Sequence, residues 1–316
     1  MWDISVSSGT LVKELGVETA YDLIREAGFT AVDWNLTGGA SVDALKAGDF
    51  ENAHCLFSHP DDEGQRRYER YEKEYEAILA HGLTVGQAHA PYPSHPYVGE
   101  PDPKALEHTV PMMVNCLRFC HRMKVPNLVI HGVKGPNVPP EIGAELNRRL
   151  YAELLPVALE GDTVVCLENM FKYREDPDGT KHPLPSIYAD AGEAVATLDE
   201  LNRQAGREIF GFCVDTGHLN MAKTDIAAFI RTVGKRIKVL HIHDNNGKTD
   251  QHRAPYTGTI PWKEFAPALK DAGYTGNLNF ETMRQTSLKT VDREMVLPWL
   301  KLIYACGTHF KRELEG

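Results

Sequence analysis

Eight short apolar runs alternate with helical patterns along this chain of 316 residues. Each run is continuous or nearly continuous in apolar residues, as expected when both faces of a parallel sheet are covered. Strands that alternate with helices indicate βαβ units, and eight such units predict a single (β/α)8 TIM barrel. No GxGxxG or GxxxxGK[ST] motif follows any run, which argues against a doubly wound nucleotide-binding sheet. The predicted strands are Asp3–Ser7, Ala31–Leu36, Leu83–His89, Asn127–His131, Thr163–Glu168, Ile209–Asp215, Ile237–His243 and Asn277–Glu281.

One domain over residues 1–316 is predicted, because no linker, repeat or change of composition divides the chain. Two longer insertions interrupt the alternation, at residues 39–66 and 171–188. The second is charged and turn-rich and follows the fifth predicted strand, so it is expected over the barrel mouth as a lid or a partner-binding loop. Helical patterns include Leu106–Met123, Ile142–Leu159, Ala191–Gln204, Ile226–Val233, Trp262–Ala272 and Asp292–Tyr304.

The charge and composition argue against several classes of protein. Lys and Arg number 34 against 44 Asp and Glu, and the net charge of -10 repels polyanions such as nucleic acid or an anionic membrane surface. No apolar run approaches the roughly 20 residues that span a bilayer, and the first residues do not resemble a signal peptide, so a cytoplasmic protein is expected. Six scattered Cys without a CxxC pair indicate reduced core thiols.

The third to eighth predicted strands all end on an ionisable or metal-ligating side chain. In a barrel these ends converge on one mouth, where the active site of this architecture lies. A polar residue at one strand end is ordinary, but six drawn from His, Asp and Glu alone indicate a site. Crowded carboxylates repel one another unless a cation neutralises them, so the pattern predicts a bound metal. The strand-end residues are His89, His131, Glu168, Asp215, His241 with His243, and Glu281.

Four of these residues make a mixed oxygen and nitrogen ligand set: Glu168, Asp215, His241 and Glu281. Three carboxylates and one imidazole suit one divalent ion such as Mn²⁺, Co²⁺, Mg²⁺ or Zn²⁺ and leave positions open for substrate oxygens.

Further polar residues cluster close to these strand ends. His218 follows Asp215 by three residues across a glycine, so both side chains can face the same ligand. His241 and His243 point to one side of their strand, so one is expected to be a ligand and the other a supporting residue. Asp250 and His252 are interpreted as a further ligand or substrate pair that folds back over the mouth.

As an ordered set, these motifs resemble the xylose-isomerase-like barrel superfamily of sugar (phosphate) isomerases and epimerases, which includes the apurinic endonuclease family. The resemblance extends from Leu83 to about Arg284. In the ketose 3-epimerase branch it implies that Glu168, Asp215, His241 and Glu281 hold one divalent metal. It also implies that Glu168 and Glu281 form the acid/base pair and that His218 contacts substrate oxygens. The matching segments are Leu167-Glu168-Asn169, Val214 to His218, Leu240 to Asn245, Asp250 to His252, Gly258 to Trp262 and Phe280-Glu281.

The endonuclease branch of the same superfamily is an alternative. There the resemblance implies a three-zinc cluster, but the net charge argues against a surface that grips phosphates. The epimerase pattern is also incomplete, since Arg174 and Gly247 stand where those enzymes carry a Glu and an Arg. All nine residue types of the zinc cluster are present, at His89, His131, Glu168, Asp215, His218, His241, Asp250, His252 and Glu281.

The leading hypothesis is a metal-dependent sugar isomerase or epimerase that removes a proton alpha to a carbonyl through a metal-stabilised ene-diolate. Its catalytic residues are Glu168 and Glu281. An alternative is a 3-keto-glycoside lyase, hydratase or C-glycoside deglycosidase subunit that uses the same metal site. The many histidines at the mouth suit this reaction, because a neutral imidazole can act as a general base near neutral pH.

The expected partner is a small sugar or sugar derivative, with no nucleic acid or membrane. A homo-oligomer or a small partner subunit is a further expectation. Residues expected to bind substrate are His89, His131, His218, Asp250 and His252.

Overall fold

A computed structural model describes residues 2–37, 56–59, 67–92, 106–107, 109–133 and 139–316 of the chain. Most of the predicted insertion at 39–66 lies outside these residues. The described strands form an eight-stranded parallel sheet and a separate two-stranded antiparallel hairpin. The strands of the eight-stranded sheet are β1 (Ile4–Ser7), β2 (Ala31–Asn35), β3 (Thr84–His89), β4 (Asn127–Val129), β5 (Val164–Glu168), β8 (Phe210–Asp215), β9 (Ile237–His241) and β10 (Leu278–Phe280). The hairpin strands are β6 (Phe171–Glu175) and β7 (Lys181–Pro185).

The parallel sheet closes into a barrel. Its strand order is β10-β1-β2-β3-β4-β5-β8-β9. The two end strands meet just beyond β9, where a parallel bridge joins Ile242 to Phe280. The Ile242 main-chain N–H donates to the Asn279 carbonyl at 2.8 Å, and the Glu281 N–H donates back to the Ile242 carbonyl at 3.1 Å. The predicted (β/α)8 barrel is therefore confirmed.

Helices connect the strands and cover the outside of the barrel. The longest is the last helix, which buries one face against the rest of the molecule along its whole length. The described α-helices are α1 (Gly9–Leu15), α2 (Val17–Ala27), α3 (Glu69–Ala80), α4 (Thr109–Met123), α5 (Pro140–Ala158), α6 (Ala191–Ala205), α7 (Thr216–Ala222), α8 (Ile226–Val233), α9 (Phe265–Asp271), α10 (Met283–Thr286) and α11 (Arg293–Glu315). Short 3-10 turns lie at Leu56–Ser58, Gly234–Arg236 and Trp262–Glu264.

Side chains alternate between two packing environments along the strands, and this alternation directs the mouth residues inward. Outward residues in the large core between sheet and helices include Leu167, Val214 and Leu240. A separate small cluster inside the barrel consists of Val129, Cys166, Cys213 and Val239. Because residues two apart on a strand share a face, Glu168, Asp215 and His241 continue the inner face where those strands end.

The predicted insertion at 171–188 contains the β6–β7 hairpin, which the charged sequence did not suggest. Its strands are antiparallel, with Phe171 opposite Pro185 and Glu175 opposite Lys181. α11 also extends to Glu315, well past the predicted end at Tyr304, because buried residues such as Phe310 and Leu314 continue its apolar face. These elements correct the sequence prediction without changing the barrel.

The cysteines match the expectation of buried thiols. Cys116, Cys120, Cys166, Cys213 and Cys306 are free and buried, and Cys55 lies outside the described residues. None of the described helices combines the length and the apolar character that crossing a bilayer demands.

Candidate active site

The four residues of the predicted ligand set meet at the barrel mouth. Glu168, Asp215 and His241 are the last residues of β5, β8 and β9, and Glu281 directly follows β10. The His241 Nδ1 atom lies 3.2 Å from Glu168 Oε1, 3.8 Å from Glu281 Oε2 and 4.0 Å from Asp215 Oδ2. The closed barrel thus gathers three carboxylates around one imidazole nitrogen.

Burial makes this arrangement suited to a cation. Glu168 is 1% exposed and both Asp215 and His241 are fully buried, while the Glu281 side chain keeps 14% exposure. Burying carboxylates is costly unless they are paired, hydrogen-bonded or bound to a metal. Glu168 Oε2 is buried and accepts no hydrogen bond of good geometry among the described residues, although His131 Nε2 lies 2.9 Å away, so this oxygen can serve as a donor atom to a cation. Donor atoms of Asp215, His241 and Glu281 lie within 4.8 Å of one another, and those of His89, Glu168 and His241 form a second such group that shares His241, so either group could hold a divalent ion.

The charged groups that face these carboxylates are imidazoles. Burial opposes ionisation of Glu168, but the charges of His241 and His131 outweigh it and hold the pKa of this carboxyl well below its usual range. Glu281 behaves in the same way, with His241 and His252 holding its pKa below the ordinary value. Conversely, burial lowers the pKa of His241, but the surrounding acidic groups raise it well above its ordinary value. Both glutamates are therefore ionised at neutral pH.

His89 and His131 lie on the Glu168 side of the mouth. His131 Nε2 is 2.9 Å from Glu168 Oε2, and His89 Nε2 is 3.0 Å from His131 Nε2. The second His89 nitrogen, Nδ1, lies 2.7 Å from the Ala90 carbonyl oxygen. Tyr92 borders the pair, with its ring centroid 5.1 Å from that of His131. His89 and His131, which were both predicted to bind substrate, thus face the site.

His218 is placed by a short helix that the sequence pattern did not reveal. Asp215 caps α7 by accepting from the His218 N–H at 2.6 Å. The His218 ring lies with Nδ1 at 3.3 Å from Glu168 Oε1 and Nε2 at 3.6 Å from Asp250 Oδ2. Burial opposes protonation, but the carboxylates of Asp215 and Asp250 raise the pKa of His218 to about 10.

A stacked pair of histidines supports two of the carboxylates. The rings of His243 and His252 stack with centroids 4.1 Å apart. His243 Nε2 lies 3.0 Å from both oxygens of Asp215. His252 lies between Asp250 and Glu281, with Nε2 3.0 Å from Asp250 Oδ2 and Nδ1 3.3 Å from Glu281 Oε2. Asp250 and His252 are thus folded back over the mouth.

The backbone at His252 is strained, with φ at 43°. A non-glycine residue rarely adopts a positive φ, and such strain occurs most often at functional sites.

The β6–β7 hairpin borders the same mouth. Phe171 is buried and its ring lies 5.1 Å from that of His218. Tyr173 packs edge-on against Phe171 at 5.2 Å and is partly exposed. The hairpin therefore adds aromatic rings beside His218, in addition to the Tyr92 ring beside His131.

Two residues outside the predicted set also contact it. Asp33, in β2, has Oδ2 3.3 Å from His241 Nε2, and Asn279, in β10, donates to the same oxygen at 3.1 Å. The sequence carries a signal for Asp33, because it is an acidic residue within the predicted strand Ala31–Leu36 and has an apolar neighbour on each side, Val32 and Trp34. Asp33 lies inside this run and not at its end, so the pattern of strand-end residues does not include it.

Comparisons with known proteins agree with the barrel fold. A family model described as the xylose isomerase-like TIM barrel matches residues 21–301. A D-psicose 3-epimerase from Enterocloster bolteae is 30% identical over 124 residues, which is 39% of this chain and 35% of that protein.

Two solved structures share the fold over nearly the whole chain. A D-psicose 3-epimerase with D-tagatose from Clostridium cellulolyticum H10 has a TM-score of 0.68 at 16% identity and covers 98% of this chain and 99% of its own. A 3-keto-D-glucoside 4-epimerase from E. coli has a TM-score of 0.64 at 15% identity and covers 97% of this chain and 100% of its own. At these identities the structures establish the shared fold.

Proposed function

This chain belongs to the xylose isomerase-like TIM barrel family, and on that premise we propose that it is a divalent-metal-dependent sugar isomerase or epimerase. The observation that carries the proposal is the convergence of two buried carboxylates and the partly buried Glu281 on the His241 Nδ1 atom, all within 4.0 Å. The proposed ligands are Glu168, Asp215, His241 and Glu281. The proposed substrate is a small sugar or sugar derivative with a carbonyl next to a hydroxyl-bearing carbon.

A bound divalent ion supplies Lewis acidity, which stabilises negative charge that develops on substrate oxygens. The chain's own task is to move a proton at the carbon next to the carbonyl. Glu168 and Glu281 project from β5 and from the end of β10, so they approach the mouth from different sides of the barrel. In our proposal one removes the proton and the other returns one. Both favour the ionised form, so either can accept the proton. The carboxylate that returns a proton first takes one up from water or from a neighbouring histidine, and the carboxylate that removed the substrate proton releases it at the end of the cycle.

The histidines have separate proposed roles. His131 and His218 lie against the two oxygens of Glu168, at 2.9 and 3.3 Å, and we assign them to orient this carboxylate and to contact substrate oxygens. His89 supports His131 in that contact. Asp250 and His252 close the opposite side, next to Glu281, and the β6–β7 hairpin is proposed to limit access of water.

Two nearby chemistries compete with this proposal. The shared fold with a 3-keto-D-glucoside 4-epimerase, together with the paired His89 and His131 next to Glu168, favours 3-keto-glycosides as a second candidate substrate class. The same proton abstraction then leads to epimerisation, elimination or hydration. The endonuclease alternative uses the same mouth residues with three zinc ions.

A metal count followed by a substrate panel tests the proposal. Elemental analysis of the purified protein should find one catalytic divalent ion per chain, whereas three zinc ions would favour the endonuclease-like cluster. The metal-loaded protein is then incubated in deuterated water with ketoses and with 3-keto-glycosides. Deuterium at the carbon next to the carbonyl identifies the substrate class. Exchange with neither class at any metal loading would overturn the proposed function.

A further inference from the structure

We propose that Asp33 is a positioning residue that fixes the His241 imidazole as a metal ligand, an inference that rests on the proposed function above. Asp33 lies within β2, away from the strand ends that form the mouth, and is 1% exposed. It belongs to none of the sequence motifs that indicated the site. Its contacts with His241 and Asn279 connect it to the site.

The two ring nitrogens of His241 meet different partners. Nδ1 faces the mouth carboxylates, with Glu168 Oε1 at 3.2 Å. Nε2 points the opposite way and lies 3.3 Å from Asp33 Oδ2. His241 is fully buried, so bulk water does not reach Nε2. Nε2 makes no hydrogen bond of good geometry among the described residues, and Asp33 Oδ2 is the carboxylate oxygen that faces it within 4.0 Å.

Asp33 is itself held in place by the barrel wall. The Asn279 side-chain amide donates to Asp33 Oδ2 at 3.1 Å, and the Ser5 hydroxyl donates to Asn279 Oδ1 at 2.9 Å. All three residues are buried. Because β2, β1 and β10 are neighbours in the sheet, the chain of contacts runs through adjacent strands and ends at His241.

This arrangement matches what a metal-ligating histidine needs. Such a histidine presents the lone pair of one nitrogen to the metal and donates the N–H of the other, commonly to a carboxylate, which fixes both the tautomer and the ring orientation. With Asp33 behind Nε2, the proton of the neutral ring stays on Nε2. The lone pair of Nδ1 then points at Glu168, Asp215 and Glu281.

Metal affinity tests the assignment directly. Zn²⁺ affinity is measured by competition with a chromophoric chelator for the wild type, D33A, D33N and N279A. Loss of the carboxylate should weaken zinc binding roughly 10- to 100-fold, the usual effect of removing a group that supports a metal ligand. N279A keeps Asp33 and removes its support, so a smaller weakening is expected.

Glu74→Gln is the matched control. Glu74 is also a buried carboxyl, but it lies on α3 and accepts from Tyr21 rather than from a mouth residue. Its removal should leave zinc affinity unchanged. An equal loss in E74Q and D33N would show that the effect follows from general disturbance of the fold and would overturn the assignment.

A spectroscopic signature separates positioning from packing. In zinc-loaded protein labelled with ¹⁵N at histidine, the His241 Nε2 proton should appear as a slowly exchanging downfield resonance, and this resonance should be lost in D33A. If D33A fails to fold, D33N and N279A still give both readouts.

Zinc binding within about twofold of the wild type in D33N, with the resonance unchanged, would overturn the role of Asp33 and leave the proposed function intact. Wild-type protein that binds no zinc, manganese or cobalt would overturn the metal site itself.

Discussion

Two buried glutamates in this molecule differ in the state that their surroundings favour. At the mouth, Glu168 is 1% exposed, yet the facing histidines hold its pKa well below the ordinary value. On α3, Glu74 is 6% exposed, and burial raises its pKa because the Tyr21 hydroxyl and the Arg70 charge offset the burial incompletely. Burial is common to both, so the neighbours decide the charge.

The opposite directions of these two pKa shifts distinguish a functional site from a structural one. Keeping an ionised carboxylate inside a protein requires several basic or cationic partners, and a fold gathers such partners mainly where charge is used. Glu74 accepts a hydrogen bond from Tyr21 at 2.8 Å, and burial raises its pKa above the ordinary value. Among the described residues, six histidines lie within 4.0 Å of the mouth carboxylates, which in our proposal also bind a metal.

The largest effect is expected when one carboxylate charge is removed from the mouth. Asp215→Asn keeps the side-chain shape and an oxygen that can accept from the His218 N–H, so α7 should remain capped. We expect divalent-metal affinity to fall by more than about 100-fold, since a direct ligand is lost rather than a supporting group. Zinc competition with a chelator measures the change. Wild-type affinity in this variant would remove Asp215 from the ligand set.

A smaller effect is expected from His131→Gln. Its Nε2 lies 2.9 Å from Glu168 Oε2, where it is proposed to contact substrate oxygens, and leaving a buried polar group without its partner typically costs about 1–3 kcal/mol. If His131 binds substrate, KM should rise roughly tenfold or more while metal content stays the same. Loss of a metal ion without a change in KM would instead identify His131 as a ligand of an additional metal.

The smallest effect on activity is expected from Glu74→Gln, which should leave kcat, KM and metal content unchanged. Its effect is on stability. Because the folded-state pKa of Glu74 is raised, the folded protein binds more protons than the unfolded chain above the ordinary value of 4.5, so this group's contribution to stability falls as pH rises. Chemical denaturation across that range should therefore show E74Q gaining stability relative to wild type as pH increases. A constant difference would contradict the raised pKa.

The barrel and the convergence of its strand ends could be predicted because both depend on local pattern. Continuous apolar runs such as Val164–Leu167 indicate strands buried on both faces, and the residue that follows such a run lies at the mouth. Glu168, Asp215 and His241 were found in this way. The family resemblance then supplied the proposed roles, which the geometry alone does not assign.

What the sequence did not reveal depends on long-range contacts or on local backbone geometry. The approach of Asp33 to His241 Nε2 depends on the positions of β2 and β9 relative to each other along the barrel axis. No local sequence pattern encodes those positions. The rings of His243 and His252 stack, and φ at His252 is positive although no glycine marks the position in the sequence. The β6–β7 hairpin was obscured by charged residues such as Arg174 and Glu175, which normally indicate a solvated loop.

The central claim is that Glu168 and Glu281 exchange a proton with the carbon next to a substrate carbonyl. It is tested by solvent deuterium incorporation with Glu168→Gln and Glu281→Gln at saturating metal, using the substrate class found for the wild type. We expect each variant to lose at least about 100-fold in exchange rate, the lower end of what acid/base catalysis contributes, while circular dichroism stays unchanged. Exchange at the wild-type rate in either variant would contradict the two-carboxylate mechanism.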